Sequence, residues 1–153
     1  MNEDNKKRDN EMKPRDIHAL LKKADKVSFD FFDENHTYSS TDTAKELDLE
    51  EELIQQLVKE YVTQLLEANI TFSKELSTLK NSQVNSTELD FTDFHNLAHK
   101  NLGVARNLRI KSCEEILDGM MNEENLDYLS ILIEVLQSCA IKLEPNTAFD
   151  ILN

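Results

Sequence analysis

Apolar positions along this chain recur mostly with the period of a helix. Leu53, Ile54, Leu57, Val58, Tyr61, Val62, Leu65 and Leu66 mark one face of a long amphipathic helix that starts at Leu49 and fades near Leu79. Upstream, Ile17, Leu20, Leu21 and Ala24 repeat at helical spacing behind Pro14, a residue suited to a first turn. The stretch "FDFFDENHTYSS" (29–40) has no helical period and reads as a connector, or a short strand, whose Phe29, Phe31 and Phe32 cover an edge of the core.

Cap-type residues followed three positions later by Glu punctuate the rest. "TAKE" (43–46) predicts a short helix and "DLEE" (48–51) a new start, while "SCEE" (112–115) places a break near Ile110–Lys111. "KNSQVNST" (80–87) is a polar loop, and a further helix begins near Thr87. Ile116, Leu117, Met120 and Met121 form a short helix. Residues 126–143 form a last one, apolar around much of its circumference and ended by Pro145. The short connections predict antiparallel neighbours in a bundle. The reading divides the chain into a disordered charged tail (1–13), an N-terminal helix and aromatic connector (14–42), a helical bundle (43–145) and a C-terminal tail (146–153).

Composition agrees with an all-α fold. In 153 residues there are two glycines and two prolines, little turn chemistry for a many-stranded protein. The net charge of −13 argues against nucleic acid and anionic membrane surfaces as partners. No apolar run reaches 18 residues, and the polar first residues do not read as a secretory signal. Cys113 and Cys139 lie in apolar segments and read as reduced core residues of a cytoplasmic protein.

The candidate chemistry sits in "DFHNLAHKNLGVARNLRI" (93–110). Projected at 3.6 residues per turn, Leu97, Val104, Leu108, Phe94, Ala105 and Ala98 fall on one arc, with Phe91 and Leu102 at its flank. His99 lies nearly opposite, among Thr92, His95, Asn96, Gly103, Arg106 and Asn107. A glycine inside a helix costs about 0.5–1 kcal/mol relative to alanine. On a solvated face it gains nothing in core packing, but beside His99 it leaves room for another protein's surface. A neutral imidazole is a competent nucleophile at neutral pH, and Arg106 suits a phosphoryl group placed on it. Two other readings stand. His99 is an ordinary surface histidine, or His95 and His99, spaced i and i+4, share a metal. The metal reading lacks both the glutamate of the protease motif and further ligands.

These residues resemble the signature of histidine-containing phosphotransfer (HPt) domains. An acidic, aromatic lead-in runs into Ala98-His99, a glycine follows at Gly103, and Asn107-Leu108 match the later polar–apolar pair. The helix order over about 49–143 is similar to that family's bundle. The resemblance implies an antiparallel four-helix bundle of HPt type, here with an extra N-terminal helix and connector. It implies a phosphorelay protein in which His99 takes a phosphoryl group on Nε2 and exchanges it with an aspartate of a response-regulator receiver domain or a hybrid histidine kinase. The partner supplies Mg²⁺, and the chain needs no cofactor of its own. Asn101 and Leu102 stand where the family usually has leucine and lysine, so Lys100 and Arg106 are the candidate phosphoryl charges. His95, Asn96, Leu102 and Asn107 are the candidate docking residues. Arg109 stands where a glycine is common. The alternative reading is a degenerate HPt-like interaction module that docks on a signalling partner without carrying phosphate.

Overall fold

The computed structural model describes residues 2–34, 36–84 and 88–153, with side chains from residue 16 onward. Seven helices cover most of these, and no strand occurs among them: α1 (Asn2–Phe32), α2 (Ser40–Leu47), α3 (Glu51–Gln83), α4 (Thr92–Leu108), α5 (Lys111–Asn122), α6 (Leu126–Leu143) and α7 (Pro145–Leu152). The all-α expectation is met.

Helices α3 to α6 close a ring in which α3 packs on α4, α4 on α5, α5 on α6 and α6 on α3. Connections as short as Arg109–Ile110 force α4 and α5 to run antiparallel. Helices α3 and α6 are antiparallel too. Asn69 Nδ2 donates to the Ile133 carbonyl at 3.2 Å, while Lys80, further along α3, reaches Ser130 Oγ, earlier on α6, at 3.0 Å. The interior is built from the apolar face read in α3 (Ile54, Val58, Tyr61, Val62, Leu65, Leu66) together with Phe72, Phe94, Leu117 and Leu136, all buried. Phe72 and Phe94 join α3 to α4, with ring centroids 4.9 Å apart, an arrangement contributing about 0.5–1.5 kcal/mol beyond its buried area.

Several boundaries differ from the sequence reading. Helix α1 is helical from Asn2, where a tail was expected over 1–13, so Pro14 does not mark its first turn. Glu, Lys, Arg and Met, which make up much of residues 2–13, are good helix formers, although the Asn and Asp among them are not. At its other end α1 runs on to Phe32 and closes with Asp33 in the left-handed region (φ 58°). Phe31 and Phe32 pack against the core as foreseen, whereas Phe29 points outward. Ala24 and Ser28 are buried, and α1 lies along α6 and α7.

Helix α2 is capped one turn earlier than "TAKE" suggested: Ser39 Oγ accepts the Asp42 N–H at 3.1 Å. Helix α3 extends through Gln83, into the expected loop. Helix α4 starts at Thr92, not near Thr87, which with Asn85 and Ser86 lies outside the described residues; Asp90 Oδ1 accepts the Thr92 N–H at 2.9 Å. The expected C-terminal tail is helix α7. Pro145 both stops α6 and begins α7, and Ala148 and Phe149 are buried against the bundle. No helix among the described residues is long and apolar enough to cross a membrane.

Candidate functional site

Helix α4 presents a continuous polar strip. Thr92, Asn96, His99, Lys100, Gly103, Arg106 and Asn107 are all exposed. Its opposite side is locked in place. Phe94, Ala98, Ala105 and Leu108 are buried, with Ala98 and Ala105 fully enclosed.

Asn101 lies on that inner side, 1% exposed, and its polar atoms are all engaged. Its Nδ2 donates to the Leu97 carbonyl at 2.9 Å, and its Oδ1 accepts from Gln64 Nε2 at 3.0 Å. Its backbone carbonyl accepts from the Tyr61 hydroxyl at 2.7 Å. Burying an amide this way is tolerable because no donor or acceptor is stranded. Burial pushes the Tyr61 phenol well above its ordinary range, so it stays a donor. Two side chains of α3 thus fix the rotation of α4 two residues after His99.

Two expected docking residues are placed elsewhere. Leu102 is fully enclosed and belongs to the core, not to the rim of the histidine face. His95 is half-buried; its Nε2 lies 3.1 Å from the Glu123 carbonyl at the end of α5, and its ring stacks on Phe91 with centroids 5.5 Å apart. Both corrections have one cause. Helix α5 runs back along the flank of α4 that carries His95 and Leu102, so the buried arc of α4 is turned roughly 40° toward that flank relative to the helical projection. A projection shows which residues share a face but not which neighbour covers it.

His95 and His99 therefore do different things. His95 ties α4 to the α5–α6 corner, and its Nε2 is engaged there rather than turned to a shared ion. His99 has no hydrogen-bond or ion-pair partner among the described residues. No group of three or more His, Cys, Asp or Glu among the described residues is placed to hold a metal ion.

Gly103 needs neither its backbone freedom nor a close neighbour. It has no positive φ, and a Cβ built on it would meet nothing within 4 Å. The space beside His99 one turn on is open. Arg106 is exposed on one flank of His99 and Lys100 on the other, so the cations of this face are free to move toward a group on the ring.

The C-terminus of α4 is closed by Arg109 in the left-handed region (φ 61°), where glycine is favoured. Arginine is held there by its own side chain: Nη1 donates to the Arg106 carbonyl at 2.7 Å and Nε to Glu46 Oε1 at 2.8 Å. This settles what the sequence showed only as an unusual residue after the helix. The Asn101–Gln64–Tyr61 cluster holds α4 beneath His99; in the sequence its one signal is Asn101, a polar residue that the helical projection turns toward the apolar arc. Compared with family models, with curated proteins and with solved structures, the chain matches none.

Proposed function

We propose that this chain is a phosphorelay protein of HPt type, with His99 as the carrier of the phosphoryl group. The observation that carries the reading is the exposed His99 ring beside the unfilled space at Gly103, on a helix whose other face is anchored by buried hydrogen bonds. The closed ring of α3 to α6 supplies the rigid four-helix support such a carrier needs.

In this reading the imidazole nitrogen attacks the phosphorus of an aspartyl phosphate on a receiver domain. The N–P bond forms, the P–O bond to the aspartate breaks, and the carboxylate leaves on the partner. The partner contributes Mg²⁺ and its own carboxylates. This chain contributes a preorganised nucleophile, access, and charge from Arg106 and Lys100. The test is incubation with a phosphorylated receiver domain followed by detection of acid-labile phosphate. Label on wild type that is lost in His99→Gln is expected. An unlabelled wild type, or a labelled His99→Gln, overturns the reading.

One observation favours a second reading, an HPt-like module that binds a signalling partner without phosphate. Leu102, which stands where the family's lysine stands, is sealed in the core and brings no charge to the histidine face. Receiver binding that persists unchanged in His99→Ala, with no label in wild type, selects this reading.

A further inference from the structure

We draw no further inference here: the strongest candidate, the exposed apolar edge that Leu49 and Leu53 make at the start of α3, carries none, since nothing in the structure shows what covers it.

Discussion

Gln64 on α3 and Asn101 on α4 share a hydrogen bond of 3.0 Å at the buried edge of the helix that displays His99. The bond joins the two sides of the candidate site, core and surface. Asn101→Leu removes the acceptor and strands the Gln64 amide in a half-buried position. It also places a larger apolar group beside Tyr61. A loss of about 1–3 kcal/mol is expected in urea unfolding. Gln64→Ala leaves Asn101 Oδ1 without its partner and should cost about 1 kcal/mol. In a double-mutant cycle the pair should couple, and strict additivity would show that the bond does not hold α4 in place.

His95 separates support from chemistry. Its ring bridges Phe91 and the Glu123 carbonyl, so His95→Ala should lower stability by about 1–2 kcal/mol. Phosphoryl labelling, measured well below the unfolding temperature, should persist in that variant. Labelling lost from a folded His95→Ala would make His95 part of the acceptor chemistry and reverse this assignment.

How much of this was legible in the sequence depended on how local the cause was. Helices α3 and α6 follow from apolar periodicity over many turns, and Asn125 and Pro145 mark both ends of α6. The exposed strip of α4 was legible for the same reason. Leu102 was not, because its burial depends on where α5 lies, which the α4 sequence does not encode. Helix α7 was hidden by Pro145, which reads equally as a stop and as a start.

Alkaline pH should weaken the fold before it touches the histidine face. Burial raises the Cys139 thiol to about 11 and the Cys113 thiol above its ordinary value, and raises the Tyr61 phenol as well. All three are neutral in the folded chain. With folded values above unfolded ones, their contribution is complete below pH ~8.5, where unfolded cysteines begin to ionise. It declines as the pH climbs toward the folded values, because the unfolded state loses protons first. The limiting slope is about 1.4 kcal/mol per pH unit for each group. Urea midpoints measured from pH 8 to 10.5 should therefore fall steadily. Replacing Cys113 and Cys139 by alanine lowers stability at pH 8 but should flatten the fall between pH 8.5 and 10. An equal slope in that variant would remove the cysteines as its cause.

Gly103 gives the sharpest separation between stability and function. Alanine there meets no neighbour and needs no backbone change, so Gly103→Ala should raise stability by about 0.5–1 kcal/mol. A residue that improves the fold when replaced is retained for something other than folding. If that reason is access to His99, the effect of substitution on transfer should scale with side-chain size. Gly103→Ala should slow phosphoryl labelling only slightly, and Gly103→Gln, whose helix propensity is below alanine's but above glycine's, should slow it at least tenfold while remaining as stable as wild type or more so. Equal labelling rates for glycine, alanine and glutamine would separate Gly103 from the approach of the partner and leave its place in the helix without a functional cause.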